Sequence, residues 1–472
     1  MEPQERPLCI DLDGTLIRSD LFAESFFALL RINFLNFFAF VGWLLKGRAH
    51  CKRQLADRVD IDSESLPYNE ELIQFLREER ASGRKLVLAT ASDAKYAQAV
   101  ARHLGLFDDV LASDGQVNLK RHRKAAALVR AYGEKGFDYA GDSRADLPVW
   151  SKAAKSIAVN VSPAVVENLR QVTEVERVFN SPTGGLKDYI RAIRLTQWLK
   201  NLLVFVPLMM AHLVGELSMV INALIAFVAF GFCASSVYLL NDLLDIAQDR
   251  KHPSKRKRPL AAGTISIQSA VALIPVLLLL GLGLALLLPL AFLGILGIYY
   301  VLTLGYSLRL KRVAFLDVLV LALLYTLRIV AGAAAVSEIP SFWLLAFSTF
   351  LFLSLALVKR YTEFQTVQSS DGLDGRSYHA ADKETIAQFG ASSGLISVLV
   401  LALYINSDTV TIMYSNPQFL WGMCPPLMYI VGRVWLLARR GVMHDDPLVF
   451  AIRDLRSQGC VAFAALALLA AI

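Results

Sequence analysis

The chain has 472 residues, of which 55% are hydrophobic, and its formal net charge at pH 7 is +7. This apolar content argues against a wholly soluble protein. The positive charge is expected in loops that flank membrane helices and not at a nucleic-acid interface, and the five cysteines show neither metal-binding nor disulfide spacing.

The apolar residues are distributed unevenly, which predicts two domains. Up to about Gly185 the sequence alternates as in a soluble domain, whereas apolar runs of about twenty residues dominate from there onwards. We therefore predict a soluble head at residues 1–185 and an all-α polytopic membrane domain at 186–472. The first apolar run is short and ends at Asp11, so no secretory signal is indicated and the head is expected in the cytoplasm.

Short apolar segments alternate with helical ones in the head. Buried strands are predicted at residues 8–10, 85–89 and 137–140, and helices at 94–104 and 124–132. Strands that alternate with helices indicate an α/β fold with a parallel sheet. Ligands of such sheets bind at the carboxyl ends of the strands, and polar residues follow each predicted strand.

Four polar motifs follow one another in the head: DLDGT at residues 11–15, LATAS at 88–92, NLKRHRKAAAL at 118–128 and GDSRAD at 141–146. In this order they are similar to the four motifs of the haloacid dehalogenase superfamily, and they extend over the whole head. The resemblance implies a Rossmann-like α/β core with a helical cap. It implies a phosphatase, not a dehalogenase, because Asp13 is retained and a leaving alkoxide needs a proton.

The resemblance also implies a role for the polar residues of the cleft. Asp11 would attack phosphorus and form an aspartyl-phosphate, and Asp13 would protonate the leaving alcohol. Thr90 would hydrogen-bond the phosphoryl group, with Ser92 as the alternative.

Two further features implied by the resemblance concern the charge of the cleft. Lys124 would neutralise the nucleophile and the phosphate, with Lys120 as the alternative. A Mg²⁺ ion would be held by Asp11, the backbone carbonyl of Asp13, Asp142 and Asp146.

An insertion at about residues 17–83 is expected to form the cap. Its first part, residues 26–46, is apolar enough to suggest a membrane span. A single span there would separate Asp11 from Thr90, which must meet in one site. Two alternatives stay open: a helix that lies in the membrane interface, or a buried cap helix.

Nine membrane spans are predicted in the second domain, because its apolar runs are long enough to cross a bilayer. They lie at about residues 197–213, 219–240, 266–287, 290–306, 315–336, 341–358, 388–406, 417–437 and 459–472. Loops rich in Lys and Arg alternate with connections that lack both. This alternation predicts a multi-pass protein of the bacterial inner membrane, with the head inside and the carboxyl terminus outside. The basic loops are 250–258, 309–312, 359–383 and 439–456.

The segment NDLLDIAQDRKHPSKRKRPLAAG, residues 241–263, follows the second span. If that helix continues, Asn241, Asp242, Asp245 and Asp249 fall on one face, within an arc of roughly 100°. Such carboxylates are costly at a membrane unless they bind something, and Mg²⁺ takes hard oxygen ligands that it shares with substrate phosphates. A basic loop follows directly, so the sequence predicts a diphosphate substrate. The expected phosphate-binding residues of the loop are Arg250, Lys255, Arg256 and Arg258.

Further polar residues of the membrane domain are predicted to collect on the same side of the membrane and to bind substrate. They are Lys200, Tyr306, Lys311, Asp317, Arg328, Lys359 and Arg360. Phosphate contact and simple anchoring of basic loops are both compatible with Lys200, Lys311 and Lys359. Arg328 lies well inside a span, where a charge is costly without a partner.

These motifs resemble the UbiA superfamily of membrane prenyltransferases, whose signature is NDxxDxxxD near the end of the second helix. Within it, the branch that makes decaprenyl-phosphate phosphoribose is similar in QWLKN, the 241–263 segment, YSLRLKR, LRIVAG, VKRYTE and DDPLVFAIRD. The likeness extends over nearly all of the membrane domain. The aromatic prenyltransferases usually carry a second motif, DxxxD, but here Asp317 is followed at the fourth position by Leu321. This departure favours the phosphoribosyl branch.

The resemblance implies transfer of 5-phosphoribose from phosphoribosyl diphosphate to a polyprenyl (decaprenyl-like) phosphate, with Mg²⁺ held by Asp242, Asp245 and Asp249. The fused head would then remove the 5-phosphate. One alternative is prenyl transfer to an aromatic or haem acceptor beside an independent phosphatase. The other is a transporter or lipid-binding module with a regulatory head. The bilayer is an expected partner, nucleic acid is not, and homo-oligomer formation stays open.

Overall fold

A computed structural model describes residues 6–180, 184–366, 377–443 and 446–471. The chain divides into two compact units, Met1–Ile193 with Tyr238–Ile274, and Arg194–Val237 with Pro275–Ile472. The first unit thus joins residues 238–274 to the head, whereas the predicted boundary lies between residues 185 and 186. Part of the predicted basic loop 359–383, and Asp445 of DDPLVFAIRD, lie outside the described residues.

A six-stranded sheet lies at the centre of the first unit. It is parallel, as the sequence predicts, and three of its strands are the predicted ones. Its strands are β1 (Leu8–Ile10), β2 (Leu86–Asp93), β3 (Asp109–Ser113), β4 (Asp138–Gly141), β5 (Lys155–Val159) and β6 (Glu174–Phe179). Their order is β3-β2-β1-β4-β5-β6, and every neighbouring pair is parallel. Ile10 lies between Leu88 and Ala140, so the carboxyl ends of β2, β1 and β4 meet at one edge.

Helices of the first unit cover both faces of this sheet. They are α1 (Leu21–Ile32), α2 (Asn36–Leu45), α3 (Arg48–Arg58), α4 (Glu70–Ala81), α5 (Ala94–Leu104), α6 (His122–Tyr132), α7 (Leu147–Trp150), α8 (Pro163–Arg170) and α9 (Leu186–Ala192). Because strand side chains alternate between faces, Leu8 and Ile10 pack in one core with Leu72. Cys9 faces the other way and packs in a second core with Trp150.

The apolar segment at residues 26–46 divides into two helices of different environment. α1 buries Phe27, Leu29 and Leu30, as a cap helix does. α2 buries none of its residues, and Phe38 and Leu45 are 70% and 85% exposed. The buried alternative therefore describes α1, whereas the membrane association of α2 stays a prediction.

The remaining helices extend from residue 206 to residue 471. They are α10 (Val206–Met210), α11 (Leu217–Leu244), α12 (Ile246–Lys251), α13 (Ile267–Ala285), α14 (Leu290–Leu308), α15 (Leu316–Ala335), α16 (Phe342–Thr366), α17 (Asp382–Ile405), α18 (Asp408–Met413), α19 (Cys424–Arg439), α20 (Pro447–Arg453) and α21 (Leu455–Ala471). Among the long apolar helices α15 is the most enclosed. In an 18-residue apolar stretch of each helix, 67% is buried in α15 and 22% in α13. The core around α15 includes Val318, Phe352 and Trp435.

Seven helices among the described residues are long and apolar enough to cross a membrane. They are Leu217–Leu244, Ile267–Ala285, Leu290–Leu308, Leu316–Ala335, Phe342–Gln365, Asp382–Ile405 and Pro417–Arg439. The two other predicted spans are shorter helices: Leu195–Met210 begins as a 3₁₀ helix, and Leu455–Ala471 has 17 residues. The membrane domain is confirmed, but the number of nine spans is not.

Candidate functional site

The polar residues of the head meet at the carboxyl edge of its sheet. Asp11 follows β1, and Lys124 reaches it from the first turn of α6, with 2.8 Å between Nζ and Oδ2. Lys124 Nζ also donates to the hydroxyl of Tyr139 over 2.8 Å, and that hydroxyl donates to Asp146 Oδ1 over 3.0 Å. Lys120 is exposed. The structure thus brings Lys124, and not Lys120, to the predicted nucleophile.

Three carboxylates of the cleft are close enough to share a cation. Oxygens of Asp11, Asp142 and Asp146 lie within 4.8 Å of one another, and no other group of three acidic, His or Cys residues does so among the described residues. Burial raises the pKa of Asp11, and burial with the charges of Asp11 and Asp146 raises the pKa of Asp142 to about 8. A divalent cation would relieve this repulsion, and hard oxygens are the ligands that Mg²⁺ prefers. The residues present therefore fit a Mg²⁺ ion.

Burial and two hydrogen bonds set the environment of Asp13. Its Oδ1 accepts from the backbone N–H of Leu21 over 2.8 Å, and its Oδ2 accepts from Ser92 Oγ over 2.5 Å. Burial, with the charge of Asp20 next, raises the pKa of Asp13 to about 7. Thr90 is fully buried, and its Oγ1 accepts from the N–H of Ser92 over 3.0 Å. Ser92 is thereby engaged with the proposed acid, a role that its position in LATAS did not suggest.

Position 14 requires a glycine, because the first and fourth motifs approach each other closely there. Its φ of +79° lies in the region that L side chains rarely adopt, and an added Cβ would lie 2.1 Å from Asp142 Oδ2. The glycine of DLDGT therefore lets the first loop approach the fourth motif.

The predicted acidic face at residues 241–249 is interrupted in the structure. α11 ends at Leu244 and α12 begins at Ile246, so one helix does not run from Asn241 to Asp249 as predicted. Asp245 lies at the junction, where its carboxylate accepts from Asn241 Nδ2 over 3.1 Å. Arg31 of α1 lies 3.3 Å from the other oxygen of Asp245. A residue of the head thus reaches the acidic motif, and nothing in its sequence context predicted that contact.

Asp242 and Asp249 nevertheless lie close together, since both carboxylates contact the same arginine side chain. Arg258 Nη1 is 3.1 Å from Asp242 Oδ1 and 2.6 Å from Asp249 Oδ2. Mg²⁺ at diphosphate sites is commonly held by one or two carboxylates together with substrate oxygens, so this pair fits such an ion. Lys255 and Arg256 are exposed in a 3₁₀ turn beside it.

Arg250, the first cation of the basic loop, binds a carboxylate of the head. Its guanidinium is buried and donates to both carboxylate oxygens of Glu24, over 2.8 and 2.6 Å. Its Nε donates to the carbonyl of Ala261 over 3.0 Å. These contacts use both ends of the guanidinium, so Arg250 holds α12 to α1.

Comparison with known proteins matches two families to the two parts of the chain. A model of the UbiA prenyltransferase family matches residues 202–453, and a model of haloacid dehalogenase-like hydrolase matches residues 8–151. The chain belongs to the UbiA prenyltransferase family. Its head is a haloacid dehalogenase-like domain, as the four motifs predict. The chain is a multi-pass membrane protein of two enzyme families, and members of both generally depend on Mg²⁺.

Relatives of the chain cover one or both domains. The uncharacterized protein y4nM of Sinorhizobium fredii is 38% identical over 452 residues, which is 95% of this chain and 87% of that protein. Nodulation protein NoeC of Azorhizobium caulinodans is 35% identical over 288 residues, 59% of this chain and 92% of that protein. A Mycobacterium tuberculosis protein named decaprenyl-phosphate phosphoribosyltransferase is 33% identical over 281 residues, 59% of this chain and 91% of that protein.

Two lysines of the second compact unit surround a buried carboxylate. Lys200 Nζ is 2.6 Å from Asp446 Oδ2, and Lys359 Nζ is 3.9 Å from the same atom. The hydroxyl of Tyr325 donates to Asp446 over 3.2 Å. Burial raises the pKa of Asp446, but the two lysines outweigh burial and lower the pKa to about 2. Asp446 was not among the predicted site residues, although it belongs to the DDPLVFAIRD motif.

Arg328 is buried in the UbiA domain, and each of its three guanidinium nitrogens donates a hydrogen bond. Its Nε donates to Asn201 Oδ1 over 3.0 Å, and its Nη2 donates to the hydroxyl of Tyr299 over 2.9 Å. Its Nη1 donates to the carbonyl of Leu324 over 2.6 Å. Asn201 and Tyr299 therefore supply the partners that a charge inside a span requires.

Asp317 and Arg360 form a fully buried ion pair with 2.5 Å between Oδ2 and Nη2. Arg360 also contacts Glu363, and the hydroxyl of Tyr378 donates to Asp317 over 2.6 Å. These contacts indicate that the ion pair has a structural role inside the UbiA domain. The last two predicted residues, Tyr306 and Lys311, are both half-buried, at the end of α14 and in the turn after it.

Proposed function

We propose that the UbiA domain transfers 5-phosphoribose from phosphoribosyl diphosphate to a polyprenyl phosphate of the decaprenyl type. The observation that carries the proposal is the 33% identity, over 91% of its length, to the Mycobacterium tuberculosis protein named decaprenyl-phosphate phosphoribosyltransferase. The replacement of the second acidic motif supports it, because Leu321 leaves Asp317 without the partner that a DxxxD motif has.

The donor would bind at the acidic motif. Asp242 and Asp249, with Asp245 and Asn241 beside them, would hold Mg²⁺, which would supply positive charge to the diphosphate leaving group. Arg258 would shift from the two carboxylates to the phosphates, and Lys255 and Arg256 are exposed for the same task. Arg250 is assigned instead to the contact with Glu24.

The transfer breaks the bond between ribose C1 and the diphosphate oxygen, and the diphosphate leaves with the electron pair. An oxygen of the polyprenyl phosphate forms the new bond to C1. That oxygen is already anionic, so no general base is needed and the protein chiefly positions the reactants and stabilises charge. Lys200 and Lys359, oriented by Asp446, are suited to the acceptor phosphate, and we include Lys311, Tyr306 and Arg328 among substrate-binding candidates.

The head would dephosphorylate the lipid product. Asp11 attacks phosphorus, the bond to the ribose O5 breaks, and the alkoxide takes the proton of Asp13. Water then hydrolyses the aspartyl-phosphate to inorganic phosphate, with Asp13 accepting a proton. Lys124 stabilises the negative charge beside Asp11, and Thr90 stays the candidate for a phosphoryl contact. A Mg²⁺ ion held by Asp11, Asp142, Asp146 and the carbonyl of Asp13 would neutralise phosphoryl oxygens.

We further propose that the chain resides in the bacterial inner membrane with its head in the cytoplasm. The water-soluble substrate and products of the reactions, namely phosphoribosyl diphosphate, diphosphate and inorganic phosphate, would then be exchanged on one side. The alternation of basic loops along the sequence supports this orientation.

Transfer is tested with the purified full-length chain in detergent. Protein, Mg²⁺, decaprenyl phosphate and phosphoribosyl diphosphate labelled with ¹⁴C in the ribose are incubated, and the organic-phase label is measured. We expect Mg²⁺-dependent lipid labelling that falls at least about 100-fold in Asp249→Asn, because one lost charge contact at a metal-dependent site costs that much. Prenyl transfer from a prenyl diphosphate to an aromatic acceptor, without labelling from phosphoribosyl diphosphate, would contradict the proposal. No Mg²⁺-dependent reaction in either assay would favour a binding or transport role.

A further inference from the structure

A polar cavity adjoins the phosphatase cleft within the first compact unit. It has a volume of about 370 Å³, within the range of small-molecule sites. Asp13 and Asp142 form part of its wall, and Gly263, Thr264 and residues 266–269 form a second wall. This second wall belongs to the part of the sequence matched by the UbiA family model. The phosphatase cavity is therefore completed by a segment outside the head's own family region.

The 263–269 wall is held against the head at three points. The N–H of Gly184 donates to the carbonyl of Thr264 over 2.8 Å, and Gln268 Nε2 donates to Asp20 Oδ2 over 3.0 Å. Gly263 has φ of +70°, and an added Cβ would lie 2.7 Å from the carbonyl oxygen of Arg18. One backbone hydrogen bond, one side-chain hydrogen bond and a required glycine thus fix the wall at the cavity.

The cavity offers two kinds of chemistry beyond the catalytic carboxylates. The wall contributes uncharged hydrogen-bonding side chains, from Thr264, Ser266, Gln268 and Ser269, which suit the hydroxyls of a sugar. The head contributes Arg18, which forms no ion pair with any described residue. Its Nε is buried and has no hydrogen-bond partner among the described residues. A guanidinium that lines a cavity without an ion-pair partner suits an anionic group of a ligand.

We propose that this cavity binds the leaving alcohol of the phosphatase reaction, and that the alcohol is a sugar carrying a second anionic phosphate. The inference rests on the proposed phosphatase activity of the head and names the substrate class of that site. The wall contacts the sugar hydroxyls, and Arg18 pairs with the second phosphate. In the reaction the P–O bond to the alcohol breaks, Asp11 takes the phosphoryl group, and the alcohol leaves with the proton of Asp13.

Such a second phosphate could belong to a soluble sugar bisphosphate or to a lipid-linked sugar phosphate. The start of α13 bears on this choice, because this candidate membrane span begins at Ile267, inside the wall. A lipid chain could therefore leave the cavity beside a membrane helix. The shared chemistry is a phosphate monoester of a sugar whose other end is an anionic phosphate.

The test compares full-length protein on four substrates that differ in these features. Phenyl phosphate has neither hydroxyls nor a second phosphate, ribose 5-phosphate has hydroxyls, and ribose 1,5-bisphosphate has both. Decaprenyl-phosphate 5-phosphoribose has the hydroxyls, a second phosphate and a lipid chain. All four substrates are assayed in the same detergent micelles. Phosphate release gives kcat/KM for each. We expect wild-type kcat/KM to rise in the order given.

Variants of Arg18 and of Gln268 then test the phosphate contact and the sugar contact separately. Arg18→Gln should lower kcat/KM roughly 10- to 100-fold for the two substrates with a second phosphate and less than about twofold for the others, because one charge-assisted contact is lost. Arg18→Lys should recover part of the loss. Gln268→Leu should lower kcat/KM about two- to tenfold for the three sugar substrates but not for phenyl phosphate. Arg130→Gln, at an exposed position of α6 outside the cavity, is the matched control.

The outcomes distinguish failure of this inference from failure of the proposed function. If Arg18→Gln changes all four substrates equally, or none, the cavity does not read a second phosphate and the inference is wrong. If wild type releases phosphate from none of them, while Arg130→Gln and wild type are both folded, the phosphatase activity itself is refuted. Preference for the lipid-linked substrate over ribose 1,5-bisphosphate assigns the lipid source, and the reverse preference assigns the soluble source. Equal use supports the contact with a second phosphate and shows that the lipid chain contributes nothing to it.

Discussion

At the residue scale, the head shows which parts of a site are predictable from sequence. The meeting of Asp11, Thr90 and Asp142 at one edge could be predicted because parallel strands bring their carboxyl ends together, whereas the role of each residue stays a prediction. Lys124 could not be separated from Lys120 by spacing alone; the turn before α6 decides it. Tyr139 was not among the predicted residues, because it lies in an apolar strand and its spacing of 15 and 7 residues from Lys124 and Asp146 matches no motif.

The raised pKa of Asp13 predicts a pH dependence of alcohol release. Burial raises this pKa to about 7, so the carboxyl keeps its proton up to neutral pH and loses it above. For ribose 5-phosphate, whose alkoxide needs a proton, the rate of alcohol release should fall about tenfold per pH unit above that value. Single-turnover quench-flow measures it directly.

The control for this prediction uses the leaving group. p-Nitrophenolate leaves without a proton, so p-nitrophenyl phosphate should show no such fall between pH 7 and about 9. Asp13→Asn should slow alcohol release from ribose 5-phosphate by about 10²–10⁴-fold and remove the pH dependence. A parallel fall for both substrates would assign the titration to a group other than the acid.

At the element scale, contacts between α1 and the 241–263 segment are the main feature that the sequence did not reveal. Arg250 and Glu24 are 226 residues apart, and each looks like an ordinary surface charge in its own context. The helix predicted through Asp249 also breaks at Asp245, which turns this carboxylate towards Arg31. Helical periodicity gives the residues of one face but not a break, since a break depends on tertiary partners.

Breaking the buried pair should loosen both elements. Glu24→Gln leaves the Arg250 guanidinium buried beside a neutral amide, which destabilises the contact by about 3–5 kcal/mol. Hydrogen–deuterium exchange of the intact protein should then increase in peptides from residues 21–32 and 241–263.

A neighbouring pair provides the matched control. Lys251 and Asp62 are 2.8 Å apart but partly exposed, with side-chain exposures of 62% and 34%. Lys251→Met should therefore change stability by no more than about 1 kcal/mol and leave exchange nearly unaltered. Equal exchange in the two variants would show that the Glu24–Arg250 pair does not hold α1 to α12.

At the scale of the whole molecule, two families share one compact unit. The UbiA family region begins at residue 202, yet residues 238–274 of it pack with the head. The Sinorhizobium fredii relative aligns over 95% of this chain, so both domains are joined in that protein too. Composition predicted the two domains, since apolar runs identify spans. The number of spans was harder to predict, because Leu195–Met210 is partly 3₁₀ helix and short for a crossing.

The most direct test of the account follows the 5-phosphate through the intact chain. Purified wild type, Asp11→Asn and Asp249→Asn are incubated with Mg²⁺, decaprenyl phosphate and phosphoribosyl diphosphate, and the lipids are analysed by mass spectrometry. Wild type should yield decaprenyl-phosphate ribose and inorganic phosphate, Asp11→Asn should accumulate the 5-phosphorylated lipid, and Asp249→Asn should form neither lipid. An unchanged lipid phosphate content in Asp11→Asn would contradict the claim that the head acts on the product of the UbiA domain.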